Sequence, residues 1–279
     1  MSTGLDLDGD GRLGTPRDAQ GYGPFAGAGG MAVLSRHALA PEGDFVDHGG
    51  LLWADLPGAL LPTSPAPPFT KPMRAVQRLS SQGHWQLPAL LPGGRRLTLL
   101  TWHATPPVFD GPADRNGRRN HDEAAFWSRL LDGALGHPPP APPYVLLGDA
   151  NIDPHDGAGR KGAIRALLAD PRLVDTRPRA VPGRCLPPEG PANAPHLGDP
   201  CLDTADWADG EEGPGNLRTD YVLLSADLRH LASGLAWPPA DAPAGREGPP
   251  RHAIVWADIA LGGDAARRAG QAAASSAPR

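Results

Sequence analysis

The sequence is poor in several residue types, and each scarcity excludes a class of protein. No apolar run approaches the roughly 20 residues of a membrane-spanning helix, which argues against a transmembrane protein. Only 5% of the residues are aromatic, and the basic charge is almost wholly arginine, because Lys71 and Lys161 are the only lysines. The net charge is −5, so the chain as a whole does not attract polyanions, and any phosphate contact requires a local basic cluster.

Glycine and proline, in contrast, are abundant, with 36 and 35 residues among 279. This share approaches that of low-complexity chains, whereas the hydrophobic share of 40% is close to that of an ordinary globular domain. The glycines keep no period of three, which excludes a collagen-like chain. We therefore expect one folded domain over residues 1–261 with long connections, and a flexible tail over 262–279.

Cysteine usage and the first residues bear on the compartment. Cys185 and Cys201 lie in a stretch rich in proline and glycine, where a disulfide and two free thiols are equally compatible with the sequence. The first twelve residues are acidic and contain no apolar segment of a signal peptide. The localisation is therefore open: either the chain is cytosolic, or its true N-terminus is missing.

Alternating strands and helices predict an α/β fold. Apolar segments typical of strands lie at 30–35, 96–103, 144–147, 221–225 and 252–261. Asn120, with Glu123 three residues later, matches a capping box that begins a helix, and the apolar spacing beyond it fits packing on a sheet. A short helix is expected at 161–168 and a long irregular loop at 176–215.

Polar residues stand at the ends of these strands, where ligand sites of layered α/β folds lie. Asp149 and Asn151 follow the strand at 144–147, so a carboxylate and an amide point to one side. Asp149 could orient or deprotonate a water molecule, and Asn151 could bind an oxyanion or a hard cation. A strand followed by an Asx turn explains the same residues about as well.

Two histidines and a second aspartate extend this set. His103 ends the strand at 96–103, just before a proline pair that would fix its position, although a lone histidine there is more often structural. Asp220 begins the strand at 221–225, and His252 begins the last strand. A carboxylate beside a histidine fixes its tautomer and raises its basicity. Each residue is a weak signal, and their order along the chain is much more specific.

That order resembles the endonuclease/exonuclease/phosphatase superfamily, metal-dependent phosphoesterases related to pancreatic-type deoxyribonucleases and neutral sphingomyelinases. The motifs that carry the resemblance are GMAVLSR at 30–36, GDANID at 148–153, TDYVLLS at 219–225 and RHAIVWADIAL at 251–261. The segment at 105–123 resembles an exported bacterial branch. The resemblance implies two packed mixed β-sheets flanked by helices, a four-layer sandwich, over roughly residues 1–261.

The resemblance also implies an activity and the residues that perform it. The chain would hydrolyse a phosphoester with Mg²⁺, or with Mn²⁺ or Ca²⁺, as a monomer acting on a small molecule, a lipid headgroup or a nucleic acid. His103 would stabilise or protonate at the phosphate, Asp149 would activate water, and Asn151 would bind phosphate or metal. Asp220 would orient His252, which would contact the scissile phosphate. Asp149 and Asn151 are the expected metal ligands.

Two departures from the family motifs weaken this expectation. No strand that bears an Asn or ends in a metal-binding Glu precedes GMAVLSR, so we expect the fold to be incomplete at its N-terminus. Arg251 stands where the closing motif has an Asp linked to the metal. Fewer carboxylates would weaken Mg²⁺ binding. The alternative function is therefore a weakened or inactive remnant that binds a phosphorylated ligand or partner, in which Arg251 could supply a fixed positive charge.

Two further groups of residues allow a functional and a bland interpretation. The candidate phosphate-binding residues are Arg115, Asn116, Arg118, Arg119, Asn120, Asn216 and Arg218, of which the first five form a basic island together with His121. The alternative for the island is a solvent-facing loop that caps the helix at Asn120. Asp6, Asp8 and Asp10 have the spacing of a calcium loop, but Arg17 occupies the twelfth position. A partial Ca²⁺ site and a solvated acidic turn both remain open.

Overall fold

The computed structural model describes residues 2–39, 44–63, 69–239 and 250–261. The strands of this part are β1 (Ala38–Leu39), β2 (Val46–Asp47), β3 (Gly83–Leu91), β4 (Arg95–His103), β5 (Tyr144–Asp149), β6 (Leu173–Asp175), β7 (Ala205–Asp206), β8 (Asn216–Leu217), β9 (Asp220–Ser225), β10 (Arg229–Ala236) and β11 (Ile254–Ala260). Its α-helices are α1 (Lys71–Val76), α2 (Arg115–Leu131) and α3 (Gly162–Leu168). The predicted tail at 262–279 lies outside the described residues.

The centre of the fold is a seven-stranded mixed sheet. Its order is β1-β3-β4-β5-β9-β6, and β2 also pairs with β3. The β4–β5 pair is parallel, whereas the other pairs of this sheet are antiparallel. Because β4 and β5 are parallel, their C-terminal residues lie at the same edge of the sheet, where the candidate site is built.

One face of this sheet carries the main core, against α2 and α3. Phe126, Trp127 and Leu130 of α2 are almost fully buried and pack with Leu100 and Leu146 from the central strands. Burial of each such side chain stabilises the fold by about 1.5–3 kcal/mol relative to exposure. The apolar spacing seen in the sequence therefore identified the buried face of the helix.

The opposite face of the sheet packs against a two-stranded sheet formed by β10 and β11. Val145, Val222 and Leu224 of the large sheet are buried there, against Val255 and Ile259 of β11. The alternate positions of β11 point away from this core, with side chains such as Trp256 41% exposed. The expected fold class, an α/β arrangement of two packed sheets with helices, is confirmed.

The predicted strand at 30–35 is wrong. Residues 30–35 form no ladder with any described strand, and Leu34 is 93% exposed. A run of four apolar residues specifies neither a partner strand nor a buried face, and here neither is supplied by the described part of the chain. The glycines that precede the run favour irregular backbone instead.

The predicted start of the long helix is also wrong. Helix α2 begins at Arg115, after Asp114, rather than after Asn120. Asn120 lies within α2, and its buried side chain donates to the carbonyl oxygens of Thr105 and Ala150, both at 2.8 Å. The supposed capping residues therefore bond to neighbouring loops, which sequence spacing alone could not reveal. The short helix at 161–168 is confirmed as α3.

The loop at 176–215 is long and mostly irregular, as predicted, and it contains β7. A disulfide joins Cys185 to Cys201, which decides between the two alternatives for these cysteines. The backbone N–H of Ala180 also donates to the carbonyl oxygen of Cys201, so a hydrogen bond as well as the disulfide constrains the loop. None of the described helices combines the length and the apolar character that a membrane crossing needs.

Candidate active site

Strand register places three of the predicted residues side by side. In the parallel pair, His103 at the end of β4 stands opposite Asp149 at the end of β5. In the antiparallel pair, Asp149 stands opposite Asp220 at the start of β9. Neighbouring strands lie about 4.8 Å apart, so the three side chains are held along one line at the edge of the sheet. The His103 Nε2 atom lies 3.5 Å from the Asp149 Oδ2 atom.

The fourth residue, His252, comes from the segment that leads into β11 of the second sheet. Its Nδ1 atom lies 2.9 Å from the Asp220 Oδ2 atom. Because a carboxylate accepts this bond, Nδ1 carries the proton and Nε2 is left for another partner. Asp149, Asp220 and His252 each present a possible metal-ligand atom, and these atoms lie within 4.8 Å of one another. We call His103, Asp149, Asp220 and His252 the edge cluster.

Asn151 adjoins the edge cluster in a left-handed backbone conformation, with φ of 49°. Its backbone N–H donates to Asp149 Oδ1 at 2.7 Å, so the Asx turn weighed as an alternative is present. This turn directs the amide Nδ2 to the carbonyl oxygen of Ala104 at 2.9 Å and to Asp149 Oδ2 at 3.1 Å. The amide oxygen accepts no hydrogen bond from the described residues, so it is available to a cation or a water molecule.

The environment shifts the pKa of several groups in the edge cluster. Burial and the neighbouring charge of Asp220 raise the pKa of Asp149 to about 7. Burial lowers the pKa of His252, but the hydrogen bond and charge of Asp220, with the charge of Asp149, outweigh it, so the net shift is upward. Burial dominates at His103 and lowers its pKa. Perturbed groups in close contact are typical of functional sites.

The donor set of the edge cluster suits a divalent cation. Two carboxylates, Asp149 and Asp220, supply the hard oxygen ligands that Mg²⁺ and Mn²⁺ prefer, and the Asn151 amide oxygen is a third oxygen nearby. A cation would also relieve the repulsion between the carboxylates that raises the pKa of Asp149.

The predicted basic island has a different role from the one expected. Arg119 is buried and donates to the carbonyl oxygens of Leu79, Gln20 and Arg78. Four other members also bond within the protein: Arg115 to Leu7 and Gln77, Asn116 to Val108, Asn120 to Thr105 and Ala150, and His121 to Asp122. The half-buried Arg118 differs, because its Nε has no partner among the described residues. Most of the island therefore joins helix α2 to loops.

Asn216 and Arg218 are likewise occupied. Arg218 forms a two-pronged ion pair with Asp175, at 2.9 and 2.6 Å, and lies over the Tyr221 ring. Asn216 donates to the carbonyl oxygen of Pro187 at 2.9 Å. Arg218 is almost fully buried, which leaves little of either side chain for a substrate. The structure brings neither into hydrogen-bond contact with the edge cluster.

Two residues beside the cluster were missed by sequence reasoning. Thr204 donates its hydroxyl to Asp220 Oδ2 at 2.8 Å. Trp207 packs edge-on against His252, with ring centroids 5.3 Å apart, and the Arg251 guanidinium lies 5.9 Å from the Trp207 centroid. Both missed residues come from the long loop, and no local spacing signalled their approach to strands that follow later in the chain.

The N-terminal acidic loop also forms a group of possible metal ligands, in which Asp18 takes the place of the predicted Asp10. Ligand atoms of Asp6, Asp8 and Asp18 lie within 4.8 Å of one another, while Asp10 is not part of the group. Asp6 accepts the backbone N–H groups of Gly9, Asp10 and Gly11, as in a tight acidic turn. Asp18 is fully buried and accepts the N–H groups of Leu7 and Thr15.

Comparison with known proteins adds a family match. The sequence model of the Endonuclease/Exonuclease/phosphatase family matches residues 3–259. Among solved structures, the chain is similar to an endonuclease/exonuclease/phosphatase from Beutenbergia cavernae, with 19% identity and a TM-score of 0.47 over 82% of this chain and 47% of that one. The comparison with curated proteins finds no match.

Two further solved structures are similar at lower TM-scores. A mannosyl-6-phosphatase from Bacteroides thetaiotaomicron shares 14% identity, with a TM-score of 0.38 over 65% of this chain and 59% of that one. Sphingomyelinase C from Streptomyces griseocarneus shares 20% identity, with a TM-score of 0.33 over 64% of this chain and 55% of that one. The chain thus spans about half the length of the solved structures that it matches.

Proposed function

Because the chain belongs to the Endonuclease/Exonuclease/phosphatase family, a family of phosphoester hydrolases, we propose that its edge cluster hydrolyses a phosphoester with the help of a divalent cation. The observation that carries this proposal is the contact of two carboxylates and two imidazoles, delivered by four separate chain segments. Phosphoryl transfer needs positioning and charge neutralisation more than covalent chemistry, and the edge cluster offers both.

Asp149 is the proposed general base. Without a bound cation, burial and the charge of Asp220 raise its pKa to about 7, so near neutral pH the ionised form is populated and still basic. His103, 3.5 Å away, is mainly neutral at pH 7, since burial lowers its pKa, and it can hydrogen-bond to the phosphate or the attacking water. In this arrangement Asp149 removes the proton from a water molecule that attacks phosphorus.

Asp220 and His252 form the proposed acid side of the reaction. Asp220 accepts from Nδ1, so the Nε2 atom of His252 faces the phosphate or the leaving oxygen. The raised pKa of His252 favours the protonated ring, which can stabilise negative charge on that oxygen. The rate should therefore rise with pH as Asp149 ionises, at a pH that a bound cation shifts below 7, and fall again at higher pH as His252 loses its proton.

A divalent cation is proposed to bind Asp149 and Asn151, with Asp220 as a further ligand. It would supply a fixed positive charge that stabilises the charge developing on the phosphoryl oxygens. Arg251, beside His252 in the chain and in contact with Trp207, adds a second positive charge close to this region. We propose Mg²⁺ or Mn²⁺ as the cation, with Ca²⁺ as the third metal to test.

A small phosphoester or a lipid headgroup is the favoured substrate class. The net charge of −5 opposes tight, sequence-independent binding to nucleic acid, which needs several phosphate contacts. In addition, five of the six residues of the basic island bond within the protein. We also propose an oxidising, extracytoplasmic compartment, which the Cys185–Cys201 disulfide supports.

The second candidate function is binding of a phosphorylated ligand without turnover. Arg251, a cation beside the edge cluster, favours this alternative because it competes with a bound metal ion. The two candidates are separated by assaying hydrolysis of p-nitrophenyl phosphate and bis-p-nitrophenyl phosphate with Mg²⁺, Mn²⁺, Ca²⁺ or EDTA. Hydrolysis that requires a divalent cation supports the enzyme. No turnover with any metal, together with binding of inorganic phosphate, supports the second candidate instead.

A further inference from the structure

Strand β7 lies between the two chain segments that deliver Asp220 and His252. On one side it pairs with β8, three residues ahead of Asp220, and the Thr204 N–H donates to the Leu217 carbonyl oxygen at 3.0 Å. On the other side, the Ala253 N–H donates to the Thr204 carbonyl oxygen at 2.8 Å, directly after His252. This short strand therefore joins the start of β9 in one sheet to the start of β11 in the other.

Thr204 lies directly before β7, and its side chain bonds to Asp220 of the edge cluster. It is fully buried, and its hydroxyl oxygen accepts the backbone N–H groups of Thr219 and Asp220, both at 3.0 Å. With its lone pairs engaged by these donors, the hydroxyl directs its own hydrogen to Asp220 Oδ2 at 2.8 Å. The position and the hydrogen direction of this hydroxyl are therefore both fixed by the protein.

One oxygen of Asp220 takes all the hydrogen bonds that the carboxylate makes within the described residues. Oδ2 accepts from His252 Nδ1 at 2.9 Å, from Thr204 at 2.8 Å and from the Thr219 hydroxyl at 3.1 Å. Oδ1 accepts none from the described part of the chain. The two hydroxyls therefore hold the carboxylate in the one orientation that gives Oδ2 to His252 and leaves Oδ1 for a cation or substrate.

We propose that Thr204, assisted by Thr219, is a positioning residue that fixes the Asp220 carboxylate and thereby the tautomer of His252. The inference rests on the proposed function for its effect on rate, but its effect on the His252 ring holds for either candidate function. Hydroxyls that orient a carboxylate–histidine pair act through geometry, and loss of such partners commonly costs about 10–100-fold in activity or metal affinity.

Thr204→Val removes the hydroxyl and keeps the shape of the side chain, while Thr204→Ser keeps the hydroxyl. We expect Thr204→Val to lower kcat about 10–100-fold with little change in KM, and Thr204→Ser to restore most of it. By ¹⁵N NMR at a pH high enough for the His252 ring to be neutral, its Nδ1–H tautomer should lose population in the valine variant and recover in the serine variant. The matched control is Thr98→Val, which changes a half-buried threonine of β4 on the side away from His103. We expect it to leave kcat unchanged.

A second variant covers the case in which Thr204→Val does not fold, since two backbone N–H groups lose their acceptor. The Thr219 hydroxyl bonds only to Asp220 Oδ2 among the described residues, so Thr219→Val removes one contact and nothing else. It should shift the His252 tautomer in the same direction, by less than Thr204→Val. An unchanged tautomer population in the folded threonine variants overturns the inference.

The readouts also keep the two hypotheses apart. If the wild-type chain hydrolyses no phosphoester, the proposed function fails, and the tautomer measurement still decides whether Thr204 positions Asp220. If the wild type is active and Thr204→Val lowers only the melting temperature, with kcat and tautomer unchanged, Thr204 is merely structural and the positioning role is refuted.

Discussion

The basic island on helix α2 and the edge cluster both appear in the sequence as dense groups of polar residues, but their side chains contact different partners. Arg119 and Asn120 of the island donate to main-chain carbonyl oxygens. The edge-cluster residues contact one another and keep atoms such as Asp220 Oδ1 without a hydrogen bond from the described residues. Local density of charge therefore does not identify a site, whereas mutual contact between titratable groups with unused atoms does.

The largest difference between the two regions should appear when His252 is replaced. His252→Asn removes the ring that we propose faces the phosphate and should lower kcat about 10²–10⁴-fold, the usual contribution of a positioned acid or base. The melting temperature should change little, because His252 is only half-buried. The exposed His155 supplies a matched control, and His155→Asn should keep the wild-type rate. Equal losses of kcat in the two variants would show that the edge cluster has no special part in the reaction.

Arg119→Met should show the opposite behaviour, a large loss of stability without a specific loss of catalysis. It removes the donor from the carbonyl oxygens of Leu79 and Arg78, and Gln20 keeps only the longer bond from Gln77. Glu123 also loses a nearby positive charge. Leaving buried hydrogen-bonding groups without a partner costs about 1–3 kcal/mol of unfolding free energy for each group, measured by denaturant titration. Arg184→Met, at an exposed position, is the control. A stable Arg119→Met protein with a raised KM would instead indicate that Arg119 binds substrate, as the sequence predicts.

The pH dependence of stability should distinguish the edge cluster from ordinary surface carboxylates. The pKa of Asp149 is about 7 in the fold, above the value of about 3.9 in an unfolded chain. Its contribution is therefore fully present below about pH 3.9 and is lost as the pH rises through 7. Asp149→Asn lacks this loss, so its melting temperature should exceed that of the wild type by several degrees at pH 8.

The same melting experiment has an internal check. The advantage of Asp149→Asn should shrink towards pH 4, where the wild-type carboxylate is protonated in the fold. Millimolar Mn²⁺ should raise the melting temperature of the wild type and leave the variant unchanged, since a ligand stabilises only the state that binds it. A pH-independent difference between the two proteins would show that Asp149 is not buried against a like charge.

The smallest expected effect concerns Arg251. Arg251→Asp replaces a positive charge beside the edge cluster with a negative one and should tighten Mn²⁺ binding, measured by calorimetry. Because Arg251 is exposed, solvent screens the interaction, and we expect only about a two- to tenfold change that weakens with added salt. Arg229→Asp makes the same change of charge at an exposed position opposite Ala260, at the end of β11 that lies away from His252. Identical affinities in the two variants would exclude Arg251 from the cation site.

Much of this arrangement could be predicted from the sequence, and the failures have physical causes. The sequence identified the four residues of the edge cluster because apolar strands end or begin at them. The register of the strands then determines which of these side chains are neighbours. Arg119 was misjudged because its acceptors are main-chain atoms far away in the sequence, which no spacing encodes.

Other errors arose where tertiary contacts override local preference. The capping pattern at Asn120 and Glu123 is a real local signal, yet both side chains bond to other segments, so the helix begins earlier. Thr204 was invisible for a related reason: it reaches Asp220 only because the disulfide-bonded loop folds back between the two sheets. Local spacing therefore predicted β4, β5, β9 and β11 and the edge where they meet, but neither the irregular backbone at 30–35 nor the residues that hold the edge in place.

The central claim, that the edge cluster hydrolyses phosphoesters, is tested most directly by kcat/KM of three proteins at pH 7 with Mn²⁺. They are the wild type, Asp149→Asn and the control Asp227→Asn, which changes an exposed aspartate just beyond the far end of β9. We predict that Asp149→Asn lowers kcat/KM for bis-p-nitrophenyl phosphate or p-nitrophenyl phosphate about 10³-fold or more, as loss of a general base does. Asp227→Asn should match the wild type. Equal kcat/KM in all three proteins would contradict the account.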